Sequence, residues 1–161
     1  MSLDSVRADL AVRAPDLHVI VTADSTATVP LAAAVHGVAP GQIAKTLAIR
    51  VNDAEFLLVT RGDARLNNQK AKAAFGGRPR MLGPDDVLRL TGHAIGGVCP
   101  FGLPGPLTIY CDVSLRIYDE VIPAGGSTHA SVRLPLGRLV ELCGGQWADA
   151  CEIPDDPSRP A

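Results

Sequence analysis

The chain has 161 residues, 47% apolar and 20% charged, with a formal net charge of −2. That is enough chain to bury a core of its own, and too little positive charge for a protein that coats long stretches of nucleic acid. No run reaches membrane-spanning length, and the N-terminus lacks a basic stretch followed by an apolar run. Cys99, Cys111, Cys143 and Cys151 show no C-x-x-C pairing and no histidine at zinc spacing, so reduced thiols in a cytoplasmic protein, without a metal, are expected.

In chain order, Leu3, Val6, Leu10 and Ala11 fall at helical spacing over 3–13, and Pro15 ends that helix. Residues 17–22 read as a strand. Thr28 caps a helix with Pro30 in its first turn and a stop at Gly37. Residues 43–51 and 55–61 form a hairpin around Asn52-Asp53. Asn67 or Asn68 opens a short helix that stops at Gly76-Gly77. A short strand over 80–82 precedes a helix over 84–90 that stops at Gly92. A glycine- and proline-rich loop spans 96–106. Strands follow at 107–112, 119–122 and 130–134, then a helix over 136–143 and a last strand at 147–153. The proline-rich stretch 154–161 reads as a flexible tail behind a single domain of residues 1–153.

Short helices alternate irregularly with strands, without the long crossover helices of a doubly wound sheet. The expected class is α+β, with a strongly curved mixed sheet that glycine-rich junctions help to bend.

Lys45 is the most informative residue. Alternation puts Ile43, Lys45, Leu47, Ile49 and Val51 on one face of their strand and Ala44, Thr46, Ala48 and Arg50 on the other. A lysine on the bulky apolar face either meets an anion in a pocket or snorkels to water along its stem. Only three lysines occur among the 15 basic residues. Gly96-Gly97 and Gly102 let backbone N–H groups approach a ligand and stabilise an oxyanion, or they simply shape a tight connection. The stretch 124–129 offers Gly125, Gly126, two hydroxyls and His129, either as a ligand-lining loop or as a polar surface loop. Residues 61–80 hold six basic side chains, Arg65, Lys70 and Lys72 among them, against the single acid Asp63. That cluster either contacts phosphates or forms a solvated helix face. Cys99 is a nucleophile only if a base such as His93 or His129 stands beside it. Asp112, closing a strand, is a polar site residue or a turn former.

Read in order, Gly41-Gln42-Ile43-Ala44-Lys45-Thr46-Leu47, Asp63-Ala64-Arg65-Leu66-Asn67, Thr91 to Gly102 and Gly125-Gly126-Ser127-Thr128-His129-Ala130 resemble the YbaK/EbsC family of free-standing aminoacyl-tRNA deacylases, relatives of the editing insertion of bacterial prolyl-tRNA synthetases. Thr28-Val29 with Ala32-Ala33-Ala34 joins the match, which covers roughly residues 15–153. The resemblance implies a partly closed six- or seven-stranded sheet flanked by short helices. It implies hydrolysis of the ester that joins a wrong, small amino acid to the 3′ end of a tRNA, often tRNA(Pro), with no cofactor and no protein nucleophile. Water attacks, and the substrate's ribose hydroxyl or side chain assists. By the same resemblance Lys45, Gly96 and Gly97 carry catalysis, with Lys45 holding the terminal nucleotide. Thr46, Cys99, Pro100, Phe101, Gly102, Asp112, Gly125, Gly126 and His129 bind substrate, and Arg65, Lys70 and Lys72 contact tRNA. The implied partners are the aminoacyl-tRNA 3′ end and a prolyl-tRNA synthetase, with neither DNA nor membrane, for a monomer or small homo-oligomer. Cys99 departs from the proline or serine of many relatives. A non-catalytic aminoacyl-tRNA or nucleotide binding module that acts with a synthetase is the alternative. A Cys99-dependent hydrolase is a third reading.

Overall fold

A computed structural model describes residues 2–154. The expected tail over 154–161 therefore lies, apart from Pro154, outside the described residues. In chain order the elements are α1 (Ser2–Arg13), β1 (Val19–Val21), α2 (Val29–His36), a 3₁₀ turn (Pro40–Gln42), β2 (Ile43–Val51), β3 (Ala54–Arg61), β4 (Arg65–Leu66), α3 (Asn68–Phe75), β5 (Arg80–Met81) and α4 (Pro84–Thr91). They continue with β6 (Ile109–Asp112), a second 3₁₀ turn (Val113–Ile117), β7 (Glu120–Pro123), β8 (Ala130–Val132), β9 (Leu134–Pro135), α5 (Leu136–Cys143), β10 (Gln146–Ala148) and β11 (Cys151–Glu152).

The architecture is α+β, as expected. A curled, seven-stranded mixed sheet runs β10-β6-β3-β2-β7-β9, with β5 added on the outer side of β2. The hairpin β2–β3 pairs antiparallel over eight positions, from Ala44↔Arg61 to Val51↔Ala54. Strand β6 joins β3 in parallel, and β7 joins the start of β2 in parallel at Ile43↔Ile122 and Ala44↔Pro123. Two small ribbons, β1–β8 and β4–β11, stand apart from this sheet.

Local chemistry sets the helix boundaries. The Thr28 hydroxyl accepts from Leu31 N and the Asn67 side chain from Lys70 N, as N-caps do. The expected glycine stops at 37, 76, 92 and 144 each take left-handed backbone at the helix C-terminus.

Alternation along β2 and β3 divides the interior in two. Ala44, Ala48, Leu57 and Val59 face the main core, with Val6 and Leu10 of α1, Phe101, Leu115, Val121 and Leu139. Ile49, Phe56 and Leu58 face a second cluster that α3 covers. There Phe56, Phe75 and Tyr110 pack ring to ring at 4.6–5.2 Å, so half of the chain's six aromatic residues stand in one place.

Two expected strands are each divided. Residues 130–134 break at exposed Arg133, so that β8 pairs with β1 and β9 with β7. Residues 147–153 break at Asp149-Ala150, where β10 leaves β6 and β11 pairs with β4. The buried Asp112 carboxylate accepts Ala150 N at 2.8 Å at that break, fixing the change of partner. The two-residue β4 and the 3₁₀ turns carry too short a pattern to be read from periodicity.

Candidate functional site

A cavity of about 260 Å³ opens at the outer edge of β2. Its wall includes the consecutive residues 43–48, with Thr26–Val29 and Ala32 on one side. Leu82, Val87, Ile95, Gly96 and Val98 close another side, and Ile122, Ala124 and Ser131 a third.

The edge exists because β2 is longer than its outer partners. Strand β7 covers it at Ile43 and Ala44, and β5 at Ile49 and Arg50. Leu82 N donates to Ala48 O at 3.0 Å on that outer side. Backbone groups along a strand alternate sides, so the N–H and C=O of Thr46, two residues back, also point outward. There they meet the cavity instead of a strand, an unpaired sheet edge ready for a ligand's hydrogen bonds. Among the described residues, Thr46 Oγ1 is also one of two buried side-chain polar atoms without a hydrogen-bond partner, the other being His36 Nε2. An orphaned hydroxyl of this kind costs about 1–3 kcal/mol.

Lys45 and Thr46 leave β2 on opposite faces. The Lys45 stem lies on the side of Leu47 and Ile49, as alternation requires, and its ammonium donates to Ala64 O. Burial pushes its pKa down, and the nearby Cys151 and Asp63 pull it up. In the free protein the amine is thus held by a carbonyl in the turn after β3.

The glycine loops interlock. Gly126 N donates to Gly97 O at 3.1 Å, and Thr26 N to Thr128 O at 2.6 Å. A Cβ on Gly97 would fall 2.7 Å from Ser127 N and 2.8 Å from Gly126 C, both backbone atoms that cannot yield alone. A Cβ on Gly96 (φ +99°) would press on Thr128 Cγ2 and Ala27. The amides do not all remain free for a ligand. Gly97 N donates to Ala94 O, Gly125 N to Ala130 O, and Gly102 N to Asp9 Oδ2 at 2.7 Å. Gly96 N has no partner among the described residues and belongs to a residue in the cavity wall.

The remaining expected site residues separate into three groups. Cys99, Pro100 and Phe101 are buried behind the loop, with Cys99 and Phe101 in the main core against which Val98 packs. Cys99 Sγ lies 3.5 Å from His93 Nε2, so the base that the sequence could not place is there. Both residues are fully buried, burial pushes the Cys99 thiol up to about 12 and the His93 imidazole down, and His93 is engaged by Ser2 Oγ at 2.5 Å and Phe101 O at 2.7 Å. This pair disfavours the thiolate–imidazolium state that a nucleophile requires. Asp112 accepts Ser114 N and Ala150 N and stands at a break in the sheet rather than in the cavity. His129 is exposed beside the cavity, its Nδ1 on Thr128 Oγ1 at 2.9 Å.

Half of the basic cluster is paired with carboxylates. Arg65 meets Glu152 at 3.0 Å, Lys70 meets Asp149 at 3.2 Å, and Arg61 meets Asp63 at 2.7 Å. Lys72 is exposed. No set of three or more His, Cys, Asp or Glu side chains able to hold a metal ion occurs among the described residues.

Sequence reasoning missed the small walls, Ala44 and Ala48, and the segment 26–29. Ala44 and Ala48 were legible in principle as the small-residue face of β2. The segment 26–29 had its signal in the Thr28 cap, which turns α2 toward the cavity mouth.

The fold and site together are a curled α+β sheet with a walled cavity at a free strand edge, and the comparisons give the family. The model of the aminoacyl-tRNA editing domain matches residues 23–142, and the chain belongs to that family. This is the family that the resemblance to YbaK/EbsC proteins implied. The uncharacterized protein YwhH of Bacillus subtilis is 42% identical over 154 residues, covering 94% of this chain and 98% of that protein. A proline–tRNA ligase of Desulfitobacterium hafniense is 30% identical over 87 residues, which span 53% of this chain and 15% of the ligase. Among solved structures, one proposed to be a trans-editing enzyme for prolyl tRNA synthetase superposes with a TM-score of 0.86 at 38% identity, covering 94% of this chain and 97% of that one. The hypothetical protein APE2540 gives 0.84 at 32% identity, over 92% and 99% of the two chains.

Proposed function

We propose that the protein is a free-standing deacylase that hydrolyses the ester of a tRNA mischarged with a small amino acid, tRNA(Pro) being the first candidate. The observation that carries this reading is the open edge of β2 inside the cavity, where Thr46 N–H, Thr46 C=O and Gly96 N–H stand unpaired at the wall.

An aminoacyl ester presents an α-ammonium, a carbonyl oxygen and a side chain. The Thr46 carbonyl accepts from the ammonium. Thr46 N–H and Gly96 N–H donate to the carbonyl oxygen and to the oxyanion it becomes. One such preorganised donor is worth about 3 kcal/mol in the transition state. The Ala44, Ala48, Val98 and Ile122 walls restrict the acyl side chain to a small one. The N-terminus of α2, whose first residues line the mouth, favours the negative charge of the terminal nucleotide. Lys45 reaches that nucleotide by exchanging Ala64 O for a phosphate or ribose oxygen. Water attacks the ester, so positioning and charge stabilisation suffice without a protein nucleophile.

Filling the cavity tests this. Ala48→Phe is expected to abolish deacylation while the melting transition stays cooperative, and Lys45→Ala to lose most activity in a folded protein. Full activity in Ala48→Phe would refute the cavity as the site. A second reading is kept by one observation: among the described residues no carboxylate, imidazole or thiol lines the cavity, which leaves binding of an aminoacyl-tRNA end without turnover open to it. Tight binding with no hydrolysis at enzyme concentrations near those of the substrate would select it.

A further inference from the structure

Cys111 and Cys143 take no part in the proposed reaction, yet their sulfurs lie against the same glycine, Gly145. Cys111 lies in β6 and is fully buried, whereas Cys143 ends α5 and is partly exposed. Cys143 forms part of the wall of a second groove, of about 570 Å³, between α1 and the loop at 102–107. The thiols meet because position 145 has no side chain. A Cβ on Gly145 would lie 2.6 Å from Cys111 Sγ and 3.2 Å from Cys143 Sγ. Arg13 stands beside them in the same groove, its guanidinium donating to Leu142 O and to Asp9.

The environments of the two sulfurs differ. The neighbouring Cys111 thiol lowers the Cys143 pKa against a cost of burial, and Gly145 N–H and the Arg13 charge add to the lowering. Cys111 is pushed up by the neighbouring Cys143 and by burial. One thiol thus borders the groove, and the other lies buried behind it. A reactive and a resolving cysteine divide their work in this way.

We propose that Cys143 and Cys111 form a peroxide-reactive dithiol, in which a hydroperoxide oxidises Cys143 and Cys111 then closes a Cys111–Cys143 disulfide. In the first step the Cys143 sulfur attacks a peroxide oxygen. An S–O bond forms, the O–O bond breaks, and the departing oxyanion takes up a proton. Cys143 is oxidised by two electrons to the sulfenic acid, and the peroxide is reduced. In the second step the Cys111 sulfur loses its proton and attacks Cys143 Sγ. The S–S bond forms, the S–O bond breaks, and the hydroxide leaves as water with that proton. The product ties the end of α5 to β6. The other two thiols serve as internal controls, since Cys99 and Cys151 are buried and burial pushes each up to about 12.

The full chain is treated with hydrogen peroxide and followed by intact mass and by non-reducing peptide mapping. The expected result is a loss of two hydrogens and a single linked peptide pair joining Cys111 to Cys143, reversed by dithiothreitol. Cys111→Ser should halt at a sulfenic acid that dimedone traps on Cys143, and Cys143→Ser should stay unmodified. Gly145→Ala should slow closure of the disulfide, because its methyl separates the sulfurs. Four intact thiols in the wild type, or oxidation of Cys99 or Cys151 as fast as Cys143, would overturn the proposal. The wild-type mapping decides the matter even if a serine variant does not fold, and none of these readouts depends on deacylation.

Discussion

Replacing Thr46 by valine should make the protein more stable and less active. Valine keeps the branched shape and the strand preference of threonine, so the backbone of β2 is not disturbed. The change removes Oγ1, which is buried without a partner. Leaving such a group unsatisfied costs about 1–3 kcal/mol, and the new methyl adds apolar burial. A gain of about 1–2 kcal/mol is expected, which for a domain of this size raises Tm by about 2–8 °C. Urea unfolding should show a higher midpoint at an unchanged slope. Deacylation by the same variant should fall, because the hydroxyl lies beside the edge where Thr46 is proposed to hold the acyl group. A Thr46→Val protein that melts below the wild type would show that the hydroxyl has a partner and would refute the argument. One that melts higher with full activity would remove the hydroxyl, though not the backbone edge, from the mechanism.

Three further outcomes follow from the geometry. Cys99→Ala should keep kcat/KM within about twofold while losing on the order of 1 kcal/mol of stability for the small void it leaves, and abolished turnover would revive Cys99 as a nucleophile. Gly97→Ala should cost about 1–3 kcal/mol by overpacking and should lower kcat/KM further by spreading the two loops, which thermal melts and kinetics measure separately. Asp9 has its carboxylate pKa lowered, chiefly by Arg13 with help from Gly102 N–H against a cost of burial. Its stabilisation is therefore complete above the ordinary value of 3.8 and is lost as pH falls from there through the folded value. Asp9→Asn should flatten that part of the acid-unfolding curve relative to wild type, and parallel curves would refute the assignment.

Much of the fold was legible because its signals are local. Thr28, Asn67 and the glycine stops mark helix ends through hydrogen bonds a few residues long, and the β2–β3 hairpin announces itself through its alternation and its turn. The division of 130–134 and of 147–153 was not legible, since a change of strand partner depends on remote groups such as the Asp112 carboxylate. The site was half legible for the same reason. Lys45 and Gly96 stood out by type and position, Thr46 entered through the family resemblance, and all three border the cavity. The direction of the Lys45 amine, toward Ala64 O, depends on a turn nineteen residues away. Which glycine amides are spent on holding the loops together, and that β2 outruns β5 and β7 at Thr46, are facts of tertiary pairing that no spacing in the chain encodes.

The most direct test is the release of amino acid from tRNA(Pro) charged in turn with alanine, cysteine, serine, threonine and proline, wild type beside Lys45→Ala and Ala48→Phe. The account predicts hydrolysis of one or more of the small non-cognate esters, with prolyl-tRNA spared and both variants impaired. Equal hydrolysis by wild type and Ala48→Phe would contradict the cavity as the site. No hydrolysis of any ester, with enzyme and substrate at matched concentrations, would contradict the deacylase reading on this tRNA.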